Sequence, residues 1–343
     1  MALQSLFGIE LPIVQAPMAG VQGHALAVAV AGAGGLGSLP AAMLGPEALR
    51  SELAAIRAAT SRPFNVNFFC HTPPAPDPGR EAAWRLKLAP YYTELGLDAN
   101  HIPAGPTRTP FGDETADLME ALRPPIVSFH FGLPAPDLLK RVRGWGAKIL
   151  ASATTLDEAR WLEAQGVDGI IAQGLEAGGH RGMFLSEDVT SQVGTFALLP
   201  QLVRLVRVPV IAAGGIADAK GVAAALALGA AAVQVGTAYL LCPECTTTSV
   251  HRAALSSEAV HHTALTNLFS GRPARSIFNR LMRDLGPLSA APPAFPAAAT
   301  ALGPLRAKAE SLGSGDFSPL WAGQNASGCR NIPAAELTRS LAT

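Results

Sequence analysis

The chain is poor in cysteine and tyrosine and has no surplus of either charge. Its four cysteines, Cys70, Cys242, Cys245 and Cys329, are scattered over 343 residues, which excludes a small disulfide-stapled scaffold. Two of them stand in "CPEC" at a zinc-like spacing. No second CxxC and no histidine pair at finger spacing supplies the other ligands of a closed site. His-x-x-Glu-His and Gly-x-Ser-x-Gly are also absent, so neither a metal centre nor a nucleophile elbow is expected. Lysine plus arginine equals aspartate plus glutamate at 26 each, which gives no field for nucleic acid or an anionic membrane surface. The expected partners are therefore small molecules. The opening "MALQSLFGIELPIVQ" lacks a basic segment followed by an apolar one, and a cytoplasmic location is expected.

One uncharged run, Gly221 to Cys242, is about as long as a membrane span. Gly229 interrupts it where a helix would stop, and "AAVQVGT" then has the form of a short strand, so helix plus buried strand accounts for the run.

What the chain does have is 49% hydrophobic residues and 34 glycines, which suits parallel strands covered on both faces. Eight short apolar runs recur: 13–18, 35–40, 64–69, 126–131, 148–154, 169–174, 208–215 and 231–237. Helix-like segments such as "GPEALRSELAAIRAAT" and "TLDEARWLEAQG" separate them, with apolar residues three and four apart. That alternation predicts a (β/α)₈ TIM barrel over residues 1–243. A doubly wound sheet is the alternative. Against it, "GAGGLG" at 32–37 precedes a strand instead of following one. Two stretches break the rhythm, 70–125 and 244–311. The second is expected to form a mainly helical inserted subdomain over the barrel mouth, with residues 312–343 returning to the barrel. No repeat of solenoid period occurs, and 289–303 is the one low-complexity piece.

In such barrels the working residues lie at the C-terminal ends of strands, and loops after the last two strands commonly hold a phosphate. "AAGGI" (212–216) and "QVGT" (234–237) close the seventh and eighth runs, where bare N–H groups could converge on an anion. After the sixth run, "EAGGHRG" brings the N–H groups of Gly178 and Gly179, a positive charge on Arg181 and the imidazole of His180. His180 is expected to be catalytic or to polarise a ligand; Arg181 could instead pair with Glu176 at the surface. His130 interrupts the fourth run, either as a functional group or as a core histidine bonded to Ser128 or a backbone carbonyl. Asn67 and Gln173 are strand-end amides able to donate and accept at the edge of a heterocycle, or to tie down a loop. His24, His71, His101, His251, His261 and His262 receive no role.

"QAPMAG" (15–20), "SFHFG" (128–132), "QGLEAGGHRG" (173–182), "AAGGIADA" followed by "VQVGTAYL", and the late "FSPLWAGQ" (317–324) stand in order. With them the chain resembles a bacterial class I nitronate monooxygenase, of the family formerly called 2-nitropropane dioxygenases, over almost its whole length. The resemblance implies an FMN-dependent barrel that oxidises alkyl nitronates, notably propionate 3-nitronate, with O₂ and releases nitrite and a carbonyl product. Carried over by position, Ala16, Pro17 and Met18 lie beneath the flavin ring. Asn67, Gln173, Gly178, Gly179, Gly214, Gly215, Gln234, Val235, Gly236 and Thr237 hold the cofactor. His180 matches the family base for neutral nitroalkanes, and His130 marks the class. With only Tyr91, Tyr92 and Tyr239 available, Phe68, Phe69, Phe131 and Trp321 are expected to line the pocket in place of phenols. A monomer or homodimer is expected. The alternatives are a related barrel that takes hydride from NAD(P)H to reduce a quinone or enoyl thioester, and a non-catalytic flavin- or phosphate-binding barrel.

Overall fold

The computed structural model describes residues 2–99, 101–103 and 108–343. Within the 70–125 stretch, residues 100 and 104–107 thus lie outside the described residues. All eight runs form strands, and eleven strands occur among the described residues. They are β1 (Ile13–Gln15), β2 (Gly37–Pro40), β3 (Phe64–Phe69), β4 (Ile126–His130), β5 (Lys148–Ala153), β6 (Gly169–Gln173), β7 (Gly179–His180), β8 (Val210–Ala213), β9 (Ala232–Val235), β10 (Thr263–Thr266) and β11 (Ala274–Ile277).

Eight of them form one parallel sheet in the order β1-β9-β8-β6-β5-β4-β3-β2. A parallel bridge from Val14 to Leu36 joins its two ends. There the Gln15 N–H donates to the Leu36 carbonyl at 2.9 Å, and the Leu36 N–H to that of Ile13 at 2.8 Å. The sheet is therefore a TIM barrel. Side chains alternate between its two faces. Val14, Leu36, Ile126, Leu150, Ile171, Ile211 and Ala232 fill the inside, plugged from below by Phe7 and Ile9. Their sequence neighbours Ile13, Val127, Ile149, Ile170, Ala212 and Val233 pack outward under the helices.

The helices form for local reasons. Pro46–Ala59 starts with Pro at its first turn and buries Leu49, Leu53 and Ile56 at helical spacing. Ala219–Ala227 is capped by Asp218, whose carboxylate accepts from the Gly221 N–H at 2.8 Å. With β9, this helix absorbs the uncharged 221–242 run. No helix among the described residues is long and apolar enough to cross a membrane.

The two stretches that interrupt the alternation build a second core together. Trp84, Leu88, Tyr91 and Tyr92 from helix Pro78–Glu94 pack on Ala301, Leu302 and Leu305 of helix Ala298–Ser311, with Leu268, Phe269 and Phe317. Trp84 and Tyr92 donate to the carbonyls of Ala298 and Ala301. The 244–311 segment is also not purely helical. It carries the β10–β11 hairpin, and β11 pairs antiparallel with β7, zipping the Gly179–His180 loop onto the insertion. The C-terminal helix Ala334–Ala342 returns to the barrel, burying Leu337 and Leu341 in the main core.

Candidate active site

Strand alternation selects the side chains at the C-terminal mouth. Two residues beyond inner-layer Leu150, Ile171 and Ala232 come Ser152, Gln173 and Gln234; in β4, Ile126 is followed by Ser128 and then His130. Asn67, His130, Ser152, Gln173 and Gln234 line one cavity, floored by Ala16, Pro17 and Met18 and rimmed by Gly178, Gly179, His180, Gly214, Gly215, Gly236 and Thr237. Val235 is the exception among the expected residues. It is outward-facing and 1% exposed, and it contributes only a carbonyl that accepts from the Ala16 N–H at 2.8 Å. The same alternation turns Phe68 away into the main core. Of the four aromatic residues expected in the wall, Phe69 and Trp321 border the cavity.

The His180 carbonyl accepts from Gln173 Nε2 at 2.9 Å and from His130 Nε2 at 3.2 Å. A carbonyl can only accept, so Nε2 of His130 carries the hydrogen, and Nδ1 then accepts from Ser152 Oγ at 3.0 Å. His130 is thus bonded to Ser152 and a carbonyl rather than to Ser128, whose hydroxyl instead receives the amides of Asn65 and Asn67. Gln173 closes the clamp by accepting from the Gly182 N–H at 2.7 Å through its Oε1.

His180 Nε2 lies 2.8 Å from Ser270 Oγ, and that hydroxyl donates to the Arg272 carbonyl at 3.3 Å. With the serine proton assigned to that carbonyl, Nε2 is the protonated nitrogen of His180, and Nδ1 keeps its lone pair with no partner among the described residues. The ring sits between Phe295 and Trp321, 5.3 Å from each by ring centroids. Burial first, then the charges of Arg108, His130 and Arg272, holds its pKa well below the usual histidine range. The site therefore presents a neutral imidazole at physiological pH.

Arg181 differs from expectation. It is 0% exposed and neither reaches the cavity nor pairs with Glu176. Its guanidinium donates to the carbonyls of Gly174 (2.6 Å) and Gln173 (2.8 Å) and to Gln192 Oε1 (3.0 Å). Glu176 receives the N–H and hydroxyl of Thr195. The positive charge at the cavity belongs to Arg108.

A model of the nitronate monooxygenase family matches residues 1–343. The chain belongs to the nitronate monooxygenase family. It is 46% identical to the nitronate monooxygenase of Paraburkholderia phytofirmans, over 99% of this chain and 93% of the relative. With that of Pseudomonas aeruginosa the identity is 44%, over 98% and 96%. Among solved structures, nitroalkane oxidase from Streptomyces ansochromogenes matches with TM-score 0.90 at 40% identity, covering 100% of this chain and 97% of that one. FabK from Thermotoga maritima matches at 0.71 and 26% identity, over 99% and 94%. As a nitronate monooxygenase family member the chain is a flavin-dependent oxidoreductase.

The residues present fit a flavin. Gln234 Oε1 is buried at the cavity without a partner. The amides of Gly215 and Gly236 make no hydrogen bond with the described residues, and a Cβ placed on Gly179 would stand in open space. Gly214 and Gly215 have φ of 117° and 73°, a conformation that exposes consecutive N–H groups and that side chains disfavour.

Several cavity residues had no recognisable signal in the sequence. His251, on helix Ser249–Leu255, borders the cavity with its Nε2 buried and unpartnered. Asn325 donates to the Gly215 carbonyl at 2.9 Å. Gly323 donates its N–H to Thr237 Oγ1 at 2.9 Å. In contrast, none of the three tyrosines lines the cavity. They bond Asp284, the Ala301 carbonyl and Thr338 elsewhere.

Burial lowers the pKa of His71, His130 and His251 to about 4 each. Their unfolded values lie near 6.5, so between about 6.5 and 4 the unfolded chain binds protons that the folded chain refuses. Stability from these groups is fully present above 6.5 and is lost as pH falls through that window. The urea midpoint is expected to drop steadily from pH 7 to 4.5; a midpoint flat over that range overturns the neutral, buried state of these rings.

Proposed function

We propose that the chain oxidises alkyl nitronates with O₂ in an FMN-dependent reaction that yields nitrite and a carbonyl compound. The observation that carries this reading is the neutral His180 imidazole, with a free Nδ1, on the wall of a cavity whose lining, among the described residues, contains no Asp or Glu. An anionic nitronate is welcome there, and a neutral nitroalkane meets a base whose lone pair needs no prior deprotonation.

The chain's own groups divide the work. Gly215, Gly236 and Thr237, with the Gly178–Gly179 turn, would hold the phosphate at the rim through N–H groups. Ala16, Pro17 and Met18 would support the ring from below. Asn67 has its amide nitrogen tied to Ser128, which leaves its oxygen for the ring edge, and Gln234 offers an unused acceptor. Gln173 and His130 would act mainly through the loop they clamp, fixing where His180 stands. FMN, when bound, would supply the redox chemistry between nitronate and O₂.

The test is nitrite release from propionate 3-nitronate in air, paired with anaerobic mixing of the protein with NADH. Nitrite release with a flavin that stays oxidised under NADH is the expected result. Rapid bleaching by NADH without nitrite release assigns the site to a nicotinamide-dependent reductase, and flavin binding without either leaves a binding protein.

A further inference from the structure

Arg108 stands in no helix or strand, yet its side chain borders the cavity that holds His180. Its Nη1 is buried and has no hydrogen-bond partner, and among the described residues Arg108 enters no ion pair. The guanidinium carbon stands 5.5 Å from the centroid of Phe295, the ring that also packs on His180 and, at 4.8 Å, on His71. Such a contact leaves the edge donors of the fork free. The charge next to it is Arg306, which acts in the same direction as burial and lowers the pKa of Arg108. A buried cation with no counter-ion is costly, and a bound anion with good geometry removes that cost. On the reading proposed above, the flavin phosphate is held elsewhere, by Gly215, Gly236 and Thr237 on the loops after β8 and β9.

We propose that Arg108 forms a second anionic subsite, taking the carboxylate of a nitronate that carries one and so setting this enzyme's preference for short carboxylate-bearing nitronates over plain alkyl nitronates. The proposal rests on the nitronate reading of the site. The guanidinium fork matches a carboxylate with two parallel bonds, and the aromatic wall of Phe295, Phe69 and Trp321 excludes water from the pair. The nitronate end is then placed toward His180, so Arg108 selects the substrate by position as well as by charge.

The experiment compares kcat/KM for propionate 3-nitronate and for propyl 1-nitronate, which has the same carbon chain without the carboxylate, in the wild type, Arg108→Gln and Arg108→Lys. Losing one charge-assisted pair lowers the ratio of the two values by about 10- to 100-fold in Arg108→Gln. Arg108→Lys, which keeps the charge but not the fork, recovers part of it. A ratio that stays at the wild-type value in Arg108→Gln overturns the proposal, whether both activities fall together or neither does. A parallel titration uses succinate, a dianion of similar length with nothing to oxidise, followed by the flavin absorbance of the FMN-loaded protein. Succinate binds the wild type and binds Arg108→Gln about 10- to 100-fold more weakly; equal binding to both overturns the subsite. Should the wild type oxidise neither nitronate, the functional reading falls, and the succinate titration still decides Arg108.

Discussion

Replacing His180 with asparagine lowers kcat/KM for neutral nitroethane by about 10²- to 10⁴-fold, the range that a positioned general base contributes, while the preformed ethyl nitronate loses far less. A nitroalkane has to shed a proton from carbon before it can be oxidised; a nitronate has already shed it. The structure gives His180 one nitrogen for that step. Ser270 receives the Nε2 hydrogen and passes its own to the Arg272 carbonyl, leaving Nδ1 basic. Ser270→Ala is therefore expected to cost less than His180→Asn but to fall on the same substrate, because the ring loses its orientation and fixed tautomer but keeps its base. The pH profile follows from the environment. Since burial and the charges of Arg108, His130 and Arg272 hold His180 well below its usual range, its acid limb lies below pH 6.5 and the nitroethane rate stays level through neutrality. Parallel kinetics on nitroethane and its nitronate check this, and equal losses on the two substrates in His180→Asn remove the proton-transfer role.

The barrel was legible because its signal is periodic and repeated. Eight apolar runs, each followed by a helix pattern, leave little freedom in topology once strands are parallel and crossovers right-handed. The rim was legible for a related reason: turns after β8 and β9 need glycine, and glycine is visible in one dimension. Val235 shows where that reading was too coarse. The stretch 234–237 is contiguous in sequence, but in a strand Gln234 faces the barrel axis and Val235 the helices, so period two would have removed Val235. Other parts were not accessible. Arg108 reaches the cavity from outside any helix or strand and His251 from a short helix of the inserted segment, and Ser270 bonds His180 across 90 residues. The pairing of β11 with β7 and the second core shared by helices Pro78–Glu94 and Ala298–Ser311 are long-range matches with no local trace. Arg181 was misjudged on charge alone, since composition cannot distinguish a guanidinium facing a ligand from one facing carbonyls.

That distinction leads to the largest expected loss of stability. Arg181→Met keeps an unbranched apolar stem but strands the carbonyls of Gln173 and Gly174 and the amide oxygen of Gln192, all of which now receive its five-donor fork. Burial, with nearby Arg275, pushes the guanidinium down to about 10, so it remains charged at neutral pH and its bonds are charge-assisted. An unsatisfied buried acceptor costs about 1–3 kcal/mol, and breaking a buried charged network from one side typically costs about 3–5 kcal/mol. For a chain of this length the unfolding entropy is about 0.7 kcal/mol/K, so Tm should fall by roughly 5 °C. Arg181→Lys should recover little, because an ammonium cannot span three acceptors set in a plane. The loss should also reach the site: Gln173 and Gly174 begin the loop that carries His180, so flavin affinity is expected to fall along with Tm. A variant that melts within a degree of the wild type and binds FMN equally well would show that the loop holds its shape without this guanidinium, and that β7 pairing with β11 is sufficient to seat His180.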